Sequence, residues 1–166
     1  MITLKRILIP TDLSDYSLAA IDYAASFGVL YNARLYLLFV ADLVPPAMTL
    51  HGLDLDEESY RRRAETDARE TLRTFIADRL PRDVPITPII RTGVPADEIR
   101  RFADEERVDL VVMATHGRTG LHHMVMGSVA EKVVRLSRVP VLTVKPSSLR
   151  ESIIRDEDIE NELHLP

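Results

Sequence analysis

Two glycines and a serine that follow a short apolar run could together bind a phosphate group. The run is Leu110-Val111-Val112-Met113, and nine residues separate Gly117 from the pair Gly127-Ser128. The residues after Ser128 have helical spacing, so the pair lies at a predicted helix start, where backbone N–H groups and the helix dipole attract anions. Two isolated glycines would indicate only turns. Their position between a strand and a helix predicts a phosphate site.

A mostly parallel sheet is predicted to position this loop. The run that precedes the loop does not alternate apolar with polar residues, which is typical of a strand buried on both faces. Similar runs alternate along the chain with segments of helical periodicity, which favours a doubly wound α/β sheet with helices on both faces. The predicted strands are residues 6–9, 35–40, 86–90, 110–113 and 141–144, and helices are predicted to begin near residues 14, 57, 95 and 128.

Two prolines give more local predictions about this sheet. Pro10 is expected to end the first strand, because proline has no N–H group to donate. Pro88 interrupts the third apolar run, and it indicates either a strand at the sheet edge or a bulge.

The composition narrows the class of protein. A chain of 166 residues with 46% apolar residues suits one domain with a sizeable core. The net charge of −5 argues against a nucleic-acid partner, and the absence of cysteine excludes disulfides and thiolate metal sites. No apolar stretch approaches ~18 residues and the amino terminus has no signal-like region, so we expect a cytoplasmic protein without a membrane segment.

The loop resembles the nucleotide-binding signature of the universal stress proteins, G-x2-G-x9-G-[ST]. Here it reads Ala114-x2-Gly117-x9-Gly127-Ser128, with alanine in place of the first glycine. The opening Ile7-Leu8-Ile9-Pro10-Thr11-Asp12-Leu13-Ser14 and the closing Pro140-Val141-Leu142-Thr143-Val144 are also similar to that family. The resemblance covers about residues 3 to 146.

This resemblance implies a five-stranded parallel sheet of order 3-2-1-4-5 that binds ATP at the carboxyl ends of the first and fourth strands. Mg²⁺ would arrive with the nucleotide, held mainly by phosphates and water, and a homodimer would form through the last strand. Asp12 would accept from the adenine amino group, and the backbone of Val40 would contact the base. The nucleotide contacts implied by motif and position are Pro10, Thr11, Asp12, Val40, Met113, Ala114, His116, Gly117, Arg118, Gly127, Ser128 and Val129.

Several side-chain roles stay open on sequence alone. Ser128 could contact the distal phosphates, as the family implies, or form a capping box with Glu131. Asp12 could cap a turn, and Arg118 could be a solvated loop charge. At Ala114, directly after a strand, we expect an extended backbone in which alanine costs no strain. At Gly127, we expect that a side chain would project toward the phosphates.

The histidines do not predict a metal site. His116, His122 and His123 include no pair at helical i, i+4 spacing with a third ligand in view, and adjacent histidines point apart. Solvated loop histidines are the simpler interpretation.

Three further hypotheses concern function and domain limits. A response-regulator receiver shares this fold and a lysine-proline after its last strand, but the position of its phosphate-accepting aspartate holds Arg91-Thr92 here. A stress-family homologue that has lost nucleotide binding and acts through protein contacts is kept open by Ala114. Residues 1–146 are predicted to form the domain and residues 147–166 an acidic tail, either frayed or packed on a partner subunit.

Overall fold

The computed structural model describes residues 2–41, 57–80, 84–117 and 126–145, so the predicted acidic tail lies outside the described residues. Strands and helices alternate along the chain. They are β1 (Arg6–Thr11), α1 (Asp15–Tyr31), β2 (Arg34–Ala41), α2 (Glu57–Arg79), β3 (Ile86–Thr92), α3 (Pro95–Glu105), β4 (Leu110–Ala114), α4 (Ser128–Leu136) and β5 (Val141–Val144).

The strands form one parallel sheet of order β3-β2-β1-β4-β5. The predicted fold class and strand order are therefore confirmed. The connection after β1 leads toward β2, whereas the connection after β4 leads toward β5 on the other side. The crevice at the carboxyl ends of β1 and β4 is thus the point where the strand order reverses, which is where ligands bind in open α/β sheets.

Successive strand residues face opposite sides of the sheet and build two core layers. Leu8, Val111 and Met113 pack with α3 and α4 on one face. Ile7 and Val112, one residue along in each strand, pack with α1 and α2 on the other face. Both faces are apolar, so the strands need no alternating pattern, and this explains the continuous apolar runs.

The buried face of α1 is built mainly from small residues. Leu18 and Ala25 are only partly buried, because the helix turns another set of side chains toward the sheet. That set is Ser17, Ala20, Ile21 and Ala24. Small side chains allow the helix to lie close to the strands, and an added Cβ at Gly28 would lie 3.1 Å from the side chain of Leu35.

The two proline predictions had different outcomes. Pro88 does lie on an edge strand, and the register between β2 and β3 runs without a bulge from Ile86 to Thr92. The prediction that Pro10 ends the first strand is wrong, since β1 continues to Thr11. The register of β1 with β4 stops at Leu8, so the missing N–H of Pro10 interrupts no pairing on that side.

Candidate functional site

A cavity of about 340 Å³ opens at the carboxyl ends of β1 and β4. Its volume lies at the lower end of the range typical of small-molecule sites. Every predicted contact residue within the described ranges lines it, and Arg118 lies outside those ranges. The structure thus brings together residues that are about a hundred positions apart in the chain.

The turn after β1 is fixed by a directed chain of hydrogen bonds. The Leu13 N–H donates to Thr11 Oγ1 at 2.9 Å, and the Ser17 hydroxyl donates to the Ser14 carbonyl at 2.7 Å. Thr11 Oγ1 lies 2.9 Å from Ser17 Oγ. Because the Ser17 hydroxyl already donates its proton to Ser14, the Thr11 hydroxyl is the donor in this pair. Leu13 adopts a left-handed φ of 64°, a conformation that costs a non-glycine residue roughly 1–2 kcal/mol. The hydrogen bonds offset that cost, and they hold Asp12 at the cavity.

Asp12 fills one of the roles that the sequence left open, the cap of the turn after β1. Its Oδ1 accepts from the Ser14 N–H at 3.1 Å and from the Ser14 hydroxyl at 2.6 Å, so the side chain does cap the turn. Ser14 is the residue before α1, but its own side chain makes no capping hydrogen bond to the helix. The hydroxyl is turned instead toward Asp12, and this hydrogen bond restrains a carboxylate that lines the cavity.

Gly117 lies against this carboxylate. A Cβ built on Gly117 would be 2.3 Å from Asp12 Oδ2, which is too short for a non-bonded contact between a carbon and an oxygen atom. The described residues with left-handed φ do not include Gly117, so close approach to Asp12, and not backbone conformation, is what favours glycine here.

The start of α4 is anchored to the end of β4. The Gly127 N–H donates to the Thr115 carbonyl at 2.7 Å, so this amide is not available to a ligand. Gly127 is the residue before the helix and Ser128 is its first residue. The next N–H groups, from Ser128 to Ala130, lie in the first helical turn and have no partner within the helix. The three residues that carry these amides, Ser128, Val129 and Ala130, line the cavity.

The structure corrects one sequence interpretation at this helix and adds an observation on Gly127. Ser128 does not form a capping box with Glu131, because Ser128 lies inside the helix and no side-chain hydrogen bond caps α4. At Gly127, which lines the cavity, an added side chain would also meet the backbone of the segment after β4. Its Cβ would lie 3.3 Å from the Thr115 carbonyl oxygen and 3.8 Å from the His116 Cα.

Ala114 ends β4 in an extended conformation. It pairs with Val144 and is not among the described residues with positive φ. The expectation of an unstrained backbone is confirmed, and the replacement of glycine adds only one methyl group to the cavity wall.

His116 is not the solvated loop histidine that the sequence suggested. It is buried, and its Nδ1 lies 2.9 Å from Thr115 Oγ1. Thr115 is a lining residue that sequence reasoning missed. The signal was available, since Thr115 lies within the same short segment between strand and helix, but only the structure shows that its carbonyl anchors α4.

An apolar wall completes the cavity and was also missed. It comes from the end of β2 and the start of α3, and its members are Leu38, Phe39, Pro95 and Ile99. This wall could have been predicted, because β2 is the neighbour of β1 at the point where the strand order reverses, and α3 covers the same face of the sheet. An apolar surface of this kind suits the ring of a nucleobase.

Other ligand classes find less support in the described ranges. No group of three histidine, cysteine or carboxylate side chains there could hold a metal ion, and His122 and His123 fall outside those ranges. None of the helices described combines the length and apolar character needed to cross a bilayer.

Comparison with known proteins places the chain in a family. Residues 3–145 match the universal stress protein family. Universal stress protein MJ0531 of Methanocaldococcus jannaschii is 36% identical over 143 residues, which are 85% of this chain and 82% of that protein. The structure of protein MJ0577 of the same organism has a TM-score of 0.72 at 29% identity, over 88% of this chain and 99% of that one.

A third comparison concerns a protein with a bound ligand. A crystal structure of a universal stress protein in complex with cAMP shares the fold, with a TM-score of 0.55 at 24% identity over 87% of this chain and 98% of that one. The family match, the identity to MJ0531 and the shared fold agree with the loop signature. This chain belongs to the universal stress protein family.

Proposed function

We propose that this protein binds ATP in the cavity between β1 and β4 and acts in the cytoplasm as a nucleotide-dependent regulatory or protective module. One observation carries the proposal: Asp12 and the first-turn residues of α4, whose amides have no partner within the helix, line the same cavity of about 340 Å³. The carboxylate suits an amino group on a base, and the amides suit phosphate oxygens. An adenine nucleotide carries both groups.

The cavity offers a separate place for each part of the nucleotide. Leu38, Phe39 and Ile99 provide an apolar surface for the adenine ring. The register of β1 with β2 ends at Thr11 and Phe39, so the backbone of Val40 lies just past that ladder and can reach the base. Ser128 is exposed at the first position of α4, where its hydroxyl is free of a capping role and can contact the distal phosphates.

The family resemblance and one relative support the choice of an adenine nucleotide. The bound cAMP in the related crystal structure carries an adenine and a phosphate, although at 24% identity the likeness reaches only the fold. Mg²⁺ would be held mainly through the phosphates, and the Ser128 hydroxyl lies at the start of α4 in the same cavity lining.

A titration of ATP against the freshly purified protein tests the proposal. We expect saturable binding with a Kd well below about 1 mM, equivalent to more than ~4 kcal/mol, and an adenine nucleotide in the extract of the denatured protein. The alternative is a homologue that has lost nucleotide binding and acts through protein contacts, and Ala114 is the residue that favours it. An empty extract and no heat of binding up to millimolar ATP would establish that alternative.

Hydrolysis of the bound ATP is expected to be slow. Catalysis of phosphoryl transfer depends on cationic groups that stabilise the transition state, and the described lining of the cavity includes no lysine or arginine. We expect a turnover below about 0.01 per second, the rate of nucleotide hydrolases that depend on one arginine in place. Phosphate release measured with excess ATP and Mg²⁺ checks this value. Faster release that disappears in Ser128→Ala would contradict it.

We also propose a homodimer through β5, which lies at an open edge of the sheet. The Val111 N–H donates to the Pro140 carbonyl and the Thr115 N–H to the Val144 carbonyl. Because backbone groups alternate in direction along a strand, the N–H of Thr143 faces away from β4. An exposed edge of this kind is a template for pairing with a second copy.

Light scattering at micromolar concentration tests this dimer. Thr143→Pro removes an outward N–H and should give a folded monomer, whereas Thr143→Val keeps the N–H and should remain dimeric. A monomeric wild type, or equal masses for the two variants, would rule out pairing through this edge.

A further inference from the structure

A second cavity lies at the opposite edge of the sheet, beside the carboxyl end of β3. Its volume is about 260 Å³, and its walls come from α2 on one side of the edge and from α3 on the other. Three arginines, Arg69, Arg91 and Arg101, line it together with two glutamates, Glu65 and Glu98. None of these residues belongs to the cavity between β1 and β4.

The arginines carry more hydrogen-bond donors than the neighbouring carboxylates use. Arg91 contacts Glu105 through one terminal nitrogen at 2.7 Å, and Arg101 contacts Glu98 through one terminal nitrogen at 3.0 Å. Each guanidinium has about five N–H groups, so most of them remain for a ligand. Arg69 lies on the exposed surface of α2 and forms no ion pair with the other residues that the structure describes.

Two of these arginines are held in place before any ligand arrives. The Arg91 guanidinium lies 5.5 Å from the centre of the Phe102 ring, which itself packs edge-on against Tyr36. Glu98 is buried, with only 8% of its side chain exposed, and its contact with Arg101 restrains that side chain. Gly93 permits this burial, because a Cβ there would lie 3.3 Å from the Glu98 side chain. A guanidinium that is already oriented loses less entropy when it binds an anion.

The open edge favours a small ligand over an added peptide strand. The Gly93 N–H donates to the Ala41 carbonyl, so by alternation the backbone groups of Pro88, Ile90 and Thr92 face outward. Pro88 has no N–H to offer a new strand, and the charged Arg91 lies within the same segment. Proline and charge on an edge strand are the usual features that prevent strand addition. The outward N–H groups of Ile90 and Thr92 remain as donors for an oxyanion.

We propose that this edge cavity, defined by Arg69, Arg91 and Arg101, is a second ligand site that binds a small multivalent oxyanion. A phosphate group and a carboxylate group both match the fork of a guanidinium, and the cavity of about 260 Å³ is large enough for either on a small molecule. Glu65 opposes the anion by charge and sets an upper limit on the affinity. The site is independent of the ATP proposal, since the two cavities share no lining residue.

Titrations of the full chain with inorganic phosphate and with malonate, at constant ionic strength, test this site. Backbone amide shifts of Ile90 and Thr92 locate binding at the edge cavity, whereas shifts at Ser128 and Val129 locate it at α4. We expect saturable shifts at Ile90 and Thr92 with at least one probe, and the tighter probe identifies the group recognised. No saturable shift at these amides with either probe would overturn the proposal.

Matched variants separate a built site from general surface charge. Arg69→Gln should weaken binding by about tenfold, whereas Arg73→Gln, which removes the same charge from an exposed position one turn further along α2, should change it by less than about twofold. Equal losses in the two variants would overturn the proposal. Glu65→Gln should tighten binding, an effect that damage to the fold cannot produce. Gly117→Val, which should block ATP, is expected to leave the shifts at Thr92 unchanged, so failure of one site can be told from failure of the other.

Discussion

Gly117→Ala is expected to weaken ATP binding by about ten- to a hundredfold while the melting temperature changes little. The added methyl would overlap Asp12 Oδ2, which lies 2.3 Å from the Cβ position. The atom that must move is the end of a side chain and not backbone, so the fold can adjust by rotating the carboxylate. That rotation removes Asp12 from its hydrogen bonds with Ser14 and from the adenine amino group. The loss equals about one charge-assisted hydrogen bond, 1.5–3 kcal/mol.

A double-mutant cycle shows whether the effect passes through Asp12. Asp12→Ala alone should weaken binding by a similar factor, and Gly117→Ala added to it should cost less than about threefold more, because the overlapping atoms are gone. Gly28→Ala is the matched control, since its Cβ would meet the Leu35 side chain at 3.1 Å, far from the cavity. Calorimetric titration of wild type, the two single variants, the double variant and the control measures the change in ATP affinity caused by each substitution. If the losses of ATP affinity from Gly117→Ala and Asp12→Ala simply added in the double variant, the substitution at Gly117 would weaken binding by a mechanism that does not involve Asp12.

Much of the fold followed from the sequence because both sheet faces are covered by helices. Buried strands such as Leu110–Ala114 show a continuous apolar run, and the helices between them show a clear period. The position of the site followed from the same pattern, since parallel strands end at one edge and the glycine spacing identified the loop. The order of the strands came from the family resemblance, as did the proposal that Asp12 faces a base.

The remaining features depend on contacts that the sequence does not encode locally. Whether Pro10 ends β1 depends on which neighbouring strand is paired with β1 at that residue. The pairing of β1 with β4 stops at Leu8, so Pro10 interrupts no hydrogen bond to β4. Whether Ser128 caps α4 depends on where the helix begins, and the bond from Gly127 to Thr115 sets that position. His116 is buried, and its Nδ1 lies 2.9 Å from Thr115 Oγ1, a contact that its sequence neighbours alone do not reveal. Each of these outcomes is decided by a partner that is distant in the chain or by one hydrogen bond.

Gly127→Val is expected to abolish ATP binding up to millimolar concentration and to lower the melting temperature by several degrees. Its Cβ would lie 3.3 Å from the Thr115 carbonyl oxygen, which is backbone and cannot rotate away. The start of α4 must therefore shift, and the bond of 2.7 Å from Gly127 N to Thr115 O must lengthen. Overpacking of this kind costs about 1–3 kcal/mol, and the unpaired amides of the first turn move away from the phosphates.

Ala114→Gly is the counterpart that restores the glycine of the family signature. Ala114 already has an extended backbone, so the exchange relieves no strain, and it removes only one methyl group from the cavity wall. We expect the affinity to change by less than about tenfold, or ~1.4 kcal/mol. Titration of ATP against wild type, Gly127→Val and Ala114→Gly decides between the two functions. If wild type shows no binding at millimolar ATP while Ala114→Gly binds tightly, the alanine has silenced the site, and the protein acts without a nucleotide.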